Sequence, residues 1–164
     1  MLEIKTPLAD AKFESESVTL REAPDFTLTL CAGSANNLRR ELGSLPDFGS
    51  AERAGKNKYF RLGLEQVLVF GPEPSTRLCT VTPLSSARVR IEVSGPKARA
   101  LLAACAAVDF SPGEFGENAV ALTGIHHMPV LIHATPDEIF HIYGLRTFAS
   151  TLWDWLLDAA QTLR

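Results

Sequence analysis

The sequence predicts an α+β fold of two similar strand-rich halves, each with a helix, built on mainly antiparallel sheets. Three observations predict it. Short apolar runs, alternating or continuous, recur along the chain between clusters of Gly, Pro, Asn and Asp. Helical spacing follows a strand block twice, near residues 98–105 and 148–159. At 164 residues, 46% apolar and 21% charged, the chain has the composition of a globular domain able to bury a core without disulfides or metal.

Residues 1–24 mix charges and small side chains with no sustained period, which predicts an N-terminal arm ordered only against something else, a partner being the natural support. "FTLTLCAG", Phe26 to Gly33, alternates Phe26, Leu28 and Leu30 with Thr27, Thr29 and Cys31, the pattern of a strand. "SANNLRRELGSLP" has room for a short helix closed by Gly43 and Pro46. "FGSAERAGKNK", Phe48 to Lys58, is rich in Gly and charge and reads as a surface loop. "YFRLGLEQVLVFGPE" then gives two apolar runs hinged at Gly63-Leu64, the second a buried strand. Pro72, Pro74 and Pro83 exclude a helix from the next stretch, although Leu78 to Val81 can pair in a sheet.

"ARVRIEVSG" alternates Val89, Ile91 and Val93 with Arg88, Arg90 and Glu92, a strand with one wet face. A helix follows, with Gly95 as cap, Pro96 in its first turn, and Ala98, Leu101, Leu102 and Cys105 at helical spacing. "NAVALTG", "MPVLIHA" and "EIFHIYGL" are three further strands, the last two joined by a short turn at Thr135 to Glu138. Thr147 is placed to cap a final helix whose Phe148, Leu152, Trp155, Leu156 and Ala159 form one apolar face. The expected layout is therefore an arm, 1–24, and a single domain, 25–164, of two halves at about 25–87 and 88–164.

The net charge of −3 leaves no excess of Lys and Arg to neutralise a phosphate backbone, so no nucleic-acid partner is expected. No apolar run reaches the roughly 18 residues of a membrane span, and "MLEIKTPLADAKFESESVTL" lacks the basic start and apolar block of a secretory signal. The chain is expected in the cytoplasm and off the membrane. Cys31, Cys79 and Cys105 are odd in number without CxxC spacing, which fits reduced thiols, Cys105 as a small core residue.

Candidate chemistry is sparse. The Ser94-Gly95-Pro96 turn before a helix has the form of an anion site, but Pro96 removes a donor and no further glycine lets a phosphate approach. His126, His127, His133 and His141 fall in consecutive strands. Alternation points His126 and His127 apart, and a turn at Pro136-Asp137 sets His141 opposite Ile132, so no zinc site converges. Asp109, between Val108 and Phe110, is a candidate acid or base with a raised pKa, or a turn residue beside Ser111 and Pro112. No Gly-x-Ser-x-Gly elbow or His-x-x-Glu-His pattern is present, and no catalytic, cofactor-binding or metal-ligating residue is assigned. Trp153 and Trp155 cannot share a helix face. With Trp155 in the core stripe, Trp153 and Leu157 lie on an adjoining face that is either a second part of the internal core or an exposed surface meeting another subunit. The nearly uncharged helix from Ala98 to Asp109 suits packing on two surfaces, a docking element rather than a ligand cradle.

Three segments carry a family resemblance. "IEVSGPKARALLAACAAVDFSP" resembles the strand, Ser-Gly-Pro turn, Ala-Arg-x-Leu-Leu helix and "LDLHP"-like exit of the gamma subunit of heterotetrameric sarcosine oxidase. "LRTFASTLWDWLLDAA" is similar to that family's "RSFAxxLWxWL" helix, with Trp153 and Trp155 at its two tryptophan positions. "FRLGLEQVLVFGPE" resembles its "WLGPDEWLLVGP" segment, with Phe60 and Leu64 where Trp and Pro are usual. The family carries a helix after that segment, for which the prolines here leave little room.

The resemblance implies the fold of the folate-binding aminomethyltransferase domain. It implies membership of an assembly that oxidatively demethylates sarcosine or a related secondary amine and passes the one-carbon unit to tetrahydrofolate. FAD, FMN, NAD and folate would sit on the alpha and beta subunits and zinc on delta, with none on the gamma chain. A non-catalytic assembly subunit is the reading it favours, with Trp153, Leu157, Arg99 and Phe110 as the candidate interface. The alternatives are a stand-alone folate-binding protein, enzyme or maintenance factor, and a generic interaction module unrelated to amine oxidation.

Overall fold

The computed structural model describes residues 5–163. The first four residues of the expected arm, and Arg164, lie outside the described residues. The chain forms two compact units, one holding Asp25–Ser86 with Asn118–Val120, the other the residues up to Pro24, Ala87–Glu117 and those from Ala121 onward.

The arm supplies two short strands, β1 (Lys12–Glu14) and β2 (Thr19–Glu22). The arm finds support within its own chain, because β2 pairs antiparallel with the strand at 88–94 from Thr19↔Ser94 to Glu22↔Ile91. The inward positions of β2 are Leu20 and Glu22, and a buried Glu hides the alternation. The Glu22 carboxylate accepts from the backbone N–H of Leu8 (3.1 Å) and Asp10 (2.9 Å), which satisfies it and fastens residues 8–10 to the sheet.

The second unit is a five-stranded sheet carrying a helix. β3 (Leu28–Ala32) leads to α1 (Ala35–Leu42), where the Ser34 hydroxyl accepts from Asn37 N–H at 3.3 Å and Gly43, at φ 71°, closes the end. Next come β4 (Ala51–Ala54), β5 (Asn57–Gly63), β6 (Gln66–Phe70) and β7 (Thr80–Pro83), in the sheet order β4-β5-β6-β3-β7. Leu38 and Leu42 of α1 close a core over Cys31, Tyr59, Val67 and Val69. The stretch expected as a loop at 48–58 is a hairpin instead, paired from Ala51↔Phe60 to Ala54↔Asn57 around Gly55 at φ 60°. Its first strand is an edge that exposes Glu52 and Arg53, so no apolar period marks it. The described residues 71–79 form no helix.

The first unit continues through β8 (Arg88–Ser94), α2 (Ala98–Cys105), β9 (Val120–Ile125), β10 (Met128–Ala134), β11 (Phe140–Leu145) and α3 (Ala149–Thr162). Its six strands run β1-β2-β8-β11-β10-β9, giving the α+β class with two antiparallel sheets. One row crosses the sheet as Ile91↔Ile142↔Ile132, all fully buried. Gly144 of β11 makes room for α3, since a Cβ there would stand 2.6 Å from Leu152 Cδ2. Among the described residues no helix is long and apolar enough to cross a membrane.

Four local expectations change. The wet face of β8 is covered: Glu92 is 9% exposed and binds Arg21 on one side and His141 Nε2, at 3.3 Å, on the other. Thr147 caps nothing, because Arg146–Phe148 is a 3₁₀ turn and α3 starts at Ala149. The β10–β11 connection is five residues long, closed by Thr135 N–H donating to the Ile139 carbonyl at 2.9 Å, and this register sets His133 directly opposite His141. Gly95 is not a cap at all. At φ 107° it passes within 2.8 Å (from a would-be Cβ) of the Ser17 carbonyl, and α2 begins three residues later.

Candidate functional site

α3 decides which tryptophan faces outward. Ala149, Leu152, Trp153, Leu156 and Ala160 form its buried stripe, anchored where Leu152 meets Gly144. At 100° per residue, Trp155 lies about 115° from the centre of that stripe. Trp153 is accordingly 9% exposed and Trp155 41% exposed, the reverse of the expected assignment. The wide apolar face of this helix tolerates either choice when the glycine opposite is not known.

Trp155 meets the β9–β10 hairpin. His126 and His127 occupy its turn at φ 43° and 67°, where positive φ at both positions usually calls for Asn-Gly. They lie in the turn, not in strands, and the His126 ring stacks on the Trp155 indole with centroids 3.8 Å apart and planes 27° apart. Beside this pair is an open cleft of about 260 Å³. The end of α2 gives it Ala104 and Cys105, the hairpin Ile125 and His126, and α3 Trp155, Asp158 and Ala159. Burial pushes the Cys105 thiol pKa up, so it offers this cleft a neutral, unreactive wall.

The expected interface set, Trp153, Leu157, Arg99 and Phe110, is not gathered on one surface. Phe110 is 3% exposed and sits edge-on to Phe115 (5.0 Å) and Phe140 (6.4 Å). Arg99 braces this cluster: Nη1 donates to the Phe110 and Phe115 carbonyls at 2.6 and 2.9 Å, while Nε and Nη2 grip the Glu138 carboxylate at 2.8 and 2.6 Å. The hydrogen bonds from Arg99 hold the Glu138 carboxyl below its ordinary range and raise the guanidinium. Leu157 is half-buried. Arg99 and Phe110 therefore order the 106–119 connection from within.

The other candidates resolve into local structure. Asp109 Oδ1 accepts from Ser111 N–H at 2.9 Å, and that bond lowers the carboxyl pKa rather than raising it, making Asp109 a turn residue. At the start of α2, Lys97 N–H already donates to the Ser17 carbonyl and Ala98 N–H to the Gly95 carbonyl, so the Ser-Gly-Pro turn is spent on the arm and on itself. His133, fully buried, stands 5.9 Å from the His141 ring. Among the described residues no three His, Cys, Asp or Glu side chains are placed to hold a metal ion.

No protein-family model matches the chain. Among curated proteins it is similar to the sarcosine oxidase gamma subunits of Corynebacterium sp. strain P-1 (33% identical over 98 residues, 60% of this chain) and strain U-96 (32% over 89 residues, 54% of this chain). The matched stretch spans under half the length of those relatives, 46% and 42%. Among solved structures it superposes on a chain of the heterotetrameric sarcosine oxidase from Corynebacterium sp. U-96 in complex with pyrrole 2-carboxylate. That match has a TM-score of 0.84 at 24% identity over 97% of this chain and 95% of the other. A second match, the glycine cleavage system aminomethyltransferase T from Bartonella henselae, has a TM-score of 0.61 at 16% identity over 83% of this chain and 44% of the other. The aminomethyltransferase-like fold is thereby established, and in sequence the chain resembles the gamma subunits of sarcosine oxidase.

Proposed function

We propose that this chain is a non-catalytic, structural subunit of a sarcosine-oxidase-type multisubunit flavoenzyme, assembled with alpha, beta and delta subunits. The observation that carries the reading is the similarity, over three fifths of the chain, to proteins named as gamma subunits of that oxidase. The site geometry supports it, because Asp109, Arg99 and Glu138, three ionisable groups near the α2 exit, are engaged in holding the fold. In this reading the complex oxidatively demethylates sarcosine or a related secondary amine and hands the one-carbon unit to tetrahydrofolate. FAD, FMN, NAD and folate are carried by the large subunits and zinc by delta, in the cytoplasm. The three free thiols suit that compartment.

The stand-alone folate-binding alternative has no comparable support: the match to the glycine cleavage system aminomethyltransferase T, at 16% identity, speaks to the fold alone. The test is to tag this chain in its source cell and capture it. Two large flavin-containing chains should co-purify, and the captured complex should oxidise sarcosine. Capture without flavoprotein would contradict the proposal.

A further inference from the structure

Resting on that reading, we infer that the corner formed by Trp155 and His126 is a docking surface, and that its occupant is a Lys- or Arg-bearing segment of a partner subunit. Three observations converge there. Trp155 is exposed yet ordered by stacking on His126, a rigid aromatic of the kind that dominates interface energetics. The cleft beside it, about 260 Å³, falls below the roughly 300–1,000 Å³ of small-molecule pockets and suits one long side chain. Its polar wall is Asp158, and the exposed Asp154 lies one turn away on the same helix.

The charge distribution selects the sign of that side chain. From Ala100 to Arg164 the sequence carries seven acidic residues and two basic ones, Arg146 and Arg164, whereas residues 1–99 carry 12 acidic and 14 basic. Arg146 is itself turned to the Lys5 carbonyl at 3.1 Å. A cation entering the cleft meets the Trp155 indole and the Asp158 carboxylate together, a pairing that favours a Lys or Arg side chain. The hairpin adds a conformational argument. Two histidines held at positive φ cost stability that Asn-Gly would not, and in return the turn supplies the ring that fixes Trp155.

The test uses the assembled complex. Zero-length carbodiimide coupling joins a carboxylate to an amine only when the two touch, so peptide mapping of the cross-linked complex should find Asp154 or Asp158 joined to another subunit where the occupant is a lysine; an arginine does not couple and is read from the variants that follow. In parallel, in the complex assembled by co-expression, Trp155→Ala should raise the concentration at which this chain dissociates roughly 30-fold. Asp158→Lys should weaken binding at low salt, with the loss shrinking as salt rises. Both positions are exposed, and unchanged circular dichroism will show that the variants fold. If wild type assembles, but cross-links fall elsewhere and both variants bind like wild type, the docking surface is wrong and the subunit reading stands. If wild type itself binds no flavoprotein, both fall.

Discussion

Trp153 and Trp155 are separated by one residue of α3 and by opposite fates, the first 9% exposed beneath the helix and the second 41% exposed with His126 stacked on its ring. Truncating each to Ala should therefore divide cleanly in denaturant unfolding. Trp153→Ala is expected to cost about 3–5 kcal/mol through the cavity it leaves, and Trp155→Ala less than about 1 kcal/mol. Equal losses would contradict the orientation of α3.

The hairpin turn offers a gain in stability. Replacing His126 with Asn and His127 with Gly suits both positive-φ positions and should stabilise the chain by about 1 kcal/mol. The same double variant should lose partner binding, because it removes the ring stacked on Trp155. A rise in Tm with undiminished binding would separate the turn from the docking surface.

Arg99 carries more than its ion pair. Removing it abandons two backbone carbonyls and Glu138 together, and Arg99→Ala should cost about 2 kcal/mol against less than about 1 for Glu138→Gln. The carboxyl pKa is lowered in the fold, so its contribution is present above the ordinary value of 4.5 and is lost as pH falls through the folded value. The Tm difference between wild type and Glu138→Gln should be steady near pH 7 and close below about 4.5. A difference that widened in acid would show the pair is not formed.

Cys31 should resist chemistry. Burial first, then the neighbouring Cys79 and Glu73, push its pKa up to about 11. Iodoacetamide at pH 8 should leave it unlabelled in the folded chain and label it fully in denaturant, as read by peptide mass spectrometry. Prompt labelling of native protein would place it outside the core of the five-stranded sheet.

Much of this architecture is visible in the residues alone. α1 announces itself through Ser34 and Gly43, and β6, β8, β10 and β11 through runs of Val, Ile and Leu. What stays hidden has a physical reason in each case. β2 buries Glu22, whose partners are the backbone of a preceding turn. β4 is an edge strand with Glu52 and Arg53 exposed, so it has no apolar period to read. The facing of the two tryptophans depends on Gly144, five residues before the helix and on another element. The His126-His127 pair was the legible clue to the docking corner, since a two-residue hairpin turn without Asn or Gly calls for a compensating contact.

Native mass spectrometry of the endogenous assembly, released under low salt, tests the subunit assignment most directly. The expected result is one copy of this chain with two large flavin-containing subunits and a small fourth chain. Finding it alone, or as a homodimer, would contradict that assignment.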